Sequence, residues 1–187
     1  MYGNTRWVPA DVLRLRIQEK EGVTMLYTII LSITMMAGLF LMLWSAVGFI
    51  QNKRFFGSAP KVALDIIQPK GERFKGQHAV GWLMMLLSLV LMAGAIILGA
   101  YDGILKVFGL WQFFIRFATM MMLLKAFDIL VFDWVLLCHS NFFPHYYPEL
   151  KGVYGPHLFG YNMKSHLLQI ALMLLGSLLA AWICTLM

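Results

Sequence analysis

The chain has 187 residues, of which 60% are hydrophobic and only 13% charged, with a mean hydropathy of +0.74. Soluble domains are typically about 45–50% apolar and about 25% charged, so the composition excludes an ordinary soluble domain and points to a lipid bilayer as the surroundings. The net charge of +6 does not indicate nucleic acid, because the basic residues flank apolar blocks and form no zinc-finger or RNA-binding signature.

Residues 1–24 differ from the rest of the chain. Val12, Leu13 and Ile17 alternate with Arg14, Arg16 and Lys20, a pattern that fits a short interfacial amphipathic helix. A second reading starts from Glu19-Lys20-Glu21-Gly22-Val23-Thr24-Met25. Back-translated, this run contains a purine-rich bacterial ribosome-binding sequence just before an ATG. On that reading natural translation begins at Met25, and residues 1–24 are an upstream extension.

Beyond residue 24 come four apolar spans, at about residues 25–50, 78–100, 109–138 and 166–187. An apolar stretch of about 18 or more residues suffices to cross a bilayer, and in lipid it must be helical to satisfy its own backbone. The expected fold is all-α: a polytopic four-transmembrane-helix bundle, with residues 25–187 as one transmembrane domain. Small residues at Gly38, Gly94 and Gly176 are expected to let helices approach closely. Residues 51–77 form a basic loop punctuated by Pro and Gly, and residues 101–108 a tight turn. Residues 139–165 form a long loop rich in aromatic residues, His and Pro.

The basic residues suggest an orientation. Loop 51–77 holds Lys53, Arg54, Lys61, Lys70, Arg73 and Lys75, and loop 139–165 adds Lys151 and Lys164. The opposite face has Lys106, joined by Arg6, Arg14, Arg16 and Lys20 if the extension is native. The positive-inside rule then places both long loops in the cytoplasm and the C-terminus outside.

Only the third span carries charge: Arg116, Lys125, Asp128 and Asp133. Ionisable residues within a membrane are costly and tend to face a bundle interior or a water-filled cavity. Lys125 and Asp128 are three residues apart, so they can pair on one helical face. At about 100° per residue, His139 falls within about 20° of Asp128, whereas Asp133 points some 140° away. Lys125, Asp128, Asp133 and His139 are therefore the candidate catalytic or binding residues. The bland alternative is a neutralised Lys125–Asp128 pair that orients the bundle, with Arg116 snorkelling to the interface.

All five histidines map to the face with the long loops. His78, His139, His145, His157 and His166 are candidate metal ligands, since imidazole and carboxylate suit zinc or iron. Haem is a further option, but a transmembrane pair of haems would want His at two depths. None of the spacings is diagnostic, and interfacial rings are common for their own sake. Beyond this candidate metal ion no cofactor is implied. Cys138 and Cys184, with no CxxC spacing, support neither a disulfide framework nor a zinc site.

Phe127-Asp128, then Asp133-Trp134, then an aromatic loop and Gly160-Tyr161 before a last span, looks like small bacterial integral membrane proteins of unassigned activity. The likeness covers about the C-terminal half and implies a bacterial cytoplasmic membrane, with no reaction attached. Gly152-Val153-Tyr154, His157 and Gly160 also resemble a stretch of the isoprenylcysteine and phospholipid methyltransferases. The Arg-His-Pro core of that family is absent here and the spacing is shorter, so its cofactor-binding role carries to no residue. The functional expectation is thus an integral membrane protein with a polar cytoplasmic-side pocket for a lipid or metal. The alternatives are a membrane-embedded lipid-modifying enzyme, and a transporter or accessory subunit with a homo-oligomeric or other membrane partner.

Overall fold

The computed structural model describes residues 10–56, 60–68 and 70–187, and no strand occurs among them. Residues 1–9, and with them Arg6, lie outside the described residues. Helix α1 runs unbroken through Ala10–Trp44 and continues as a π-helical stretch, Ser45–Ile50. There is thus no break at Met25 between an interfacial helix and the first span. Thr28, Ser32 and Thr34 each donate to the carbonyl four residues back, at 2.9, 2.8 and 3.1 Å. Their hydroxyls therefore need no water in an apolar setting. Gln51, left-handed at φ 51°, ends the helix with its N–H on the Ala46 carbonyl.

Pro60 precedes the short helix α2, Lys61–Ile66. Gly76, at φ 86°, turns the chain into α3, Gln77–Leu105. Helix α3 therefore extends past the expected end at residue 100. The charge of Asp102, within this added turn of helix, is answered inside the protein: its carboxylate lies 2.9 Å from Lys106 and 2.8 Å from Arg116. The true turn is residues 106–109. Helix α4 spans Leu110–Phe127 and continues without interruption as a second π-helical stretch, Asp128–Cys138. The aromatic loop is not irregular throughout. It contains α5, Phe142–Tyr146, and single helical turns at Pro148–Leu150 and Pro156–Leu158. Helix α6, Met163–Thr185, closes the chain.

Three helical segments are long and apolar enough to cross a membrane: Gly22–Ile50, Gln77–Leu105 and Met163–Thr185. Leu83, Leu86, Leu87, Val90, Ile97, Leu168, Leu172 and Leu175 are among many large apolar side chains exposed on their outer faces, a disposition suited to lipid and costly in water. Helix α4 packs against α1, α3 and α6.

Helix α3 buries Gly81, Ser88, Ala95, Gly99 and Gly103 along one face. These small residues bring backbones together. A Cβ on Gly103 would sit 2.3 Å from the Phe113 ring, and one on Gly38 would sit 2.9 Å from Met92. Gly94 and Gly176 behave otherwise than expected. A Cβ on either would meet nothing within 4 Å, so they bring no helices together within the chain.

Two large apolar cores form among the described residues, beside a small third cluster of Ala46, Ile50 and Met85. At the end of the bundle near the 106–109 turn, Leu31, Met35, Ala95, Phe113, Phe117, Met120, Leu124 and Ala181 pack together. At the end with the long loops, Val47, Leu137 and Cys138 meet Ala63 and Ile67 of the α2 region and Phe143, Tyr147 and Leu150 of the aromatic segment. The two long loops thus share one core and form a folded cap.

Candidate functional site: a polar seam between two helices

Lys125, Asp128 and Asp133 of the α4 rod are brought against the first turns of α6. The Lys125 side chain is only 3% exposed, and its Nζ donates to Asp128 Oδ2 at 2.6 Å and to Gln169 Oε1 at 2.5 Å. Gln169 Nε2 reaches Ser165 Oγ at 3.5 Å. A short step along the rod, Asp133 Oδ2 lies 2.6 Å from His166 Nε2, with side-chain exposures of 21% and 7%. His166 Nδ1 is buried and has no hydrogen-bond partner. Two carboxylates, an ammonium, an imidazole and an amide therefore line one seam. Loss of water around the Tyr161 hydroxyl, and then the charges of Asp133 and Asp128, push that hydroxyl up to about 12.

The π-helical stretch decides which residues join this seam. With i→i+5 bonding the chain turns by roughly 80° per residue instead of about 100°. Asp133 then falls only about 40° from Asp128, where regular α geometry puts it about 140° away. Over the eleven residues to His139 the same change moves that side chain to roughly the opposite side. The structure agrees in detail. Asp133 faces α6, while His139 is exposed, with Nδ1 against the Trp134 carbonyl at 2.8 Å and its ring on the Trp134 indole. The expected alignment of Lys125, Asp128 and His139 is therefore corrected. His166, from the facing helix, occupies the place that His139 was expected to take.

The five histidines are dispersed. His78 Nδ1 lies 3.5 Å from Glu72, His145 is exposed beside the Tyr146 ring, and His157 is exposed near Gly155. Among the described residues no group of three or more His, Cys, Asp or Glu side chains converges to hold a metal ion. A chelating site needs several ligands at about 2.0–2.3 Å from one point, so the metal candidates His78, His139, His145, His157 and His166 do not make one centre together.

Three polar anchors lie outside the candidate site residues. Gln77 is fully buried. It donates to the Phe49 carbonyl at 3.0 Å and to Gln51 Oε1 at 3.2 Å, and it accepts from the Arg73 backbone at 2.9 Å. Lys70 donates to the Tyr146 carbonyl at 2.8 Å and to Glu149 at 3.2 Å, which ties the two loops of the cap. At the other end, Arg116 does not snorkel. It is buried, donates to the Gly99 carbonyl at 2.7 Å and lies over the Phe108 ring at 4.5 Å. The signal available in the sequence was a lone amide in an apolar run, as at Gln169, which needs a buried partner.

The fold and seam together define a helical protein with three membrane-compatible helices and a fourth, polar helix packed among them. No protein-family model, no curated protein and no solved structure matches the chain.

Proposed function

We propose that the chain is a four-span integral membrane protein of a bacterial cytoplasmic membrane, and that the α4–α6 seam binds the polar head of a membrane lipid. The fourth span is the α4 rod. It packs against all three apolar helices; Arg116 and the Lys125–Asp128 pair are charge-matched within the protein and Asp133 is held by the His166 ring, which lowers the cost of placing them in lipid. The excess of Lys and Arg in loops 51–77 and 139–165 sets the orientation, with those loops cytoplasmic and the 106–109 turn outside.

The observation that carries the lipid reading is an imbalance of charge. Lys125 answers one carboxylate, and Asp128 and Asp133 share the seam. The cationic and imidazole groups are buried, while the Asp128 and Asp133 side chains stay 29% and 21% exposed at the flank of the helices. The open edge of the seam is thus acidic and lies toward the cytoplasmic side of the bundle. It suits a head group that presents an ammonium or hydroxyl donor. Protein extracted in mild detergent should retain lipid in native mass spectra, and the Asp128→Asn/Asp133→Asn double variant should lose it. Equal lipid content in the two proteins would count against the reading.

A second reading, a subunit that packs on another membrane helix, is favoured by one feature. Leu110, Leu172, Leu175, Leu179 and Trp182 line a shallow apolar groove around the open Gly176. Small residues in such grooves permit close helix contact. Cross-linking at position 176 to a second chain would support it, and strictly monomeric protein in nanodiscs would oppose it.

A further inference from the structure

We propose that Asp133 and His166 form a proton-binding site, one exchangeable proton per chain, that sets the charge of the α4–α6 seam. The geometry defines the resting form. His166 Nε2 faces Asp133 Oδ2 at 2.6 Å, so an ionised Asp133 holds the ring as the Nε2–H tautomer and leaves the Nδ1 lone pair free. Nδ1 is buried without a partner, on a side chain only 7% exposed. In this form Lys125 cancels one carboxylate and the other is uncompensated. An uncompensated charge at membrane depth is costly.

One added proton removes that charge. Taken from cytoplasmic water, it binds at His166 Nδ1 to give an imidazolium–carboxylate pair. It returns to water by the same route, and no other bond is made or broken. Two opposing costs keep the site exchangeable. Without the proton, the seam holds a net negative charge. With it, the imidazolium presents a second N–H that the packed seam does not satisfy.

The groups that face the dyad are Lys125, Asp128 and Cys138 from the α4 rod, Tyr161 from the segment before α6, and Ser165 and Gln169 from α6 itself. None of them supplies a second cation. Protonation of the dyad and binding of an ammonium-bearing ligand at the open carboxylate edge would therefore compete for the same negative charge. The proton site itself rests on the dyad's geometry and does not require the lipid reading.

The test uses full-length protein with ¹⁵N-labelled histidine in phosphatidylcholine nanodiscs. The His166 resonances are assigned by comparison with His166→Gln and followed across the pH range in which the protein stays folded. The expected result is an Nε2–H tautomer at high pH that takes up one proton on acidification. In Asp133→Asn the preference for the Nε2–H tautomer should weaken, since a neutral amide holds that proton less strongly than a carboxylate. A ring that stays singly protonated throughout, or a tautomer unchanged in Asp133→Asn, would overturn the proposal. If that variant does not fold, the infrared carboxylic-acid and carboxylate bands of the wild-type protein serve instead. A carboxylate band that shifts as the His166 ring takes up its proton, with no carboxylic-acid band growing in, supports the pair. A carboxylic-acid band that grows in while the ring stays neutral counts against it. Lipid retention is read separately, so either proposal can fail alone.

Discussion

Lys125 is the side chain on which the seam depends most. Replacing it with Met leaves Asp128 beside an apolar stem and takes a donor from Gln169. Breaking a buried pair typically costs about 3–5 kcal/mol, and the partial exposure of Asp128 should hold this case near the lower end. Lys125→Met is therefore expected to lower the thermal midpoint in detergent, and Lys125→Met/Asp128→Leu to recover most of the loss. A double variant as unstable as the single would refute the pairing. Val107 is the reverse case. It is a β-branched residue at φ 54°, fully open to its surroundings, in a conformation that costs such residues about 1–2 kcal/mol. Val107→Gly should raise the midpoint, and a lowered midpoint would argue against strain there.

Glu149 gives a pH signature outside the membrane. Burial raises its carboxyl, but backbone N–H groups and the Lys70 ammonium outweigh that and hold it below its ordinary value of 4.5. A depressed carboxylate contributes stability that is fully present above the ordinary value and is lost as pH falls through the depressed one. The cap formed by the two loops should therefore loosen below about pH 4.5, seen as faster amide exchange in residues 142–150. Glu149→Gln should remove that acid step, and an unchanged pH profile in the variant would speak against the Lys70 clamp.

At the scale of elements, the glycines divide by what their helices touch. Gly103→Ala drives a methyl into the Phe113 ring, and Gly81→Ala one into Ile50 and its backbone N. Each should destabilise by about 1–3 kcal/mol. Gly94→Ala and Gly176→Ala meet open space and should be neutral or slightly stabilising, as helix propensity alone predicts. Thermal midpoints of the four variants side by side would check the division. The π-helical stretch from Asp128 to Cys138 matters in the same way. It rotates Asp133 toward α6 and His139 away from it, and no single residue in the stretch announces it.

For the whole molecule the consequence is sidedness. The cap unites loops 51–76 and 139–162 at one end, while Lys106, Asp102 and Arg116 form a separate charged group at the other. Single cysteines placed at Arg54 and Lys151 should react only with reagents that enter the cytoplasm, and one at Val107 with impermeant reagents added outside. The opposite labelling pattern would invert the orientation.

The sequence by itself determined the helical class, the apolar helices and the concentration of charge in residues 110–138. Uncharged apolar runs of this length have no other way to satisfy their backbones in lipid. The Lys125–Asp128 pair was also legible, because it lies within one turn of regular helix. Other features were decided only by the tertiary structure. The partner of Asp133 comes from a different helix, and its direction depends on a change in helical period. The partner of Arg116 is a carboxylate beyond the expected end of α3. The histidines, which share one face in the sequence, are separated because each follows its own turn of the cap or its own helix. Periodicity describes one element at a time, whereas these contacts belong to pairs of elements.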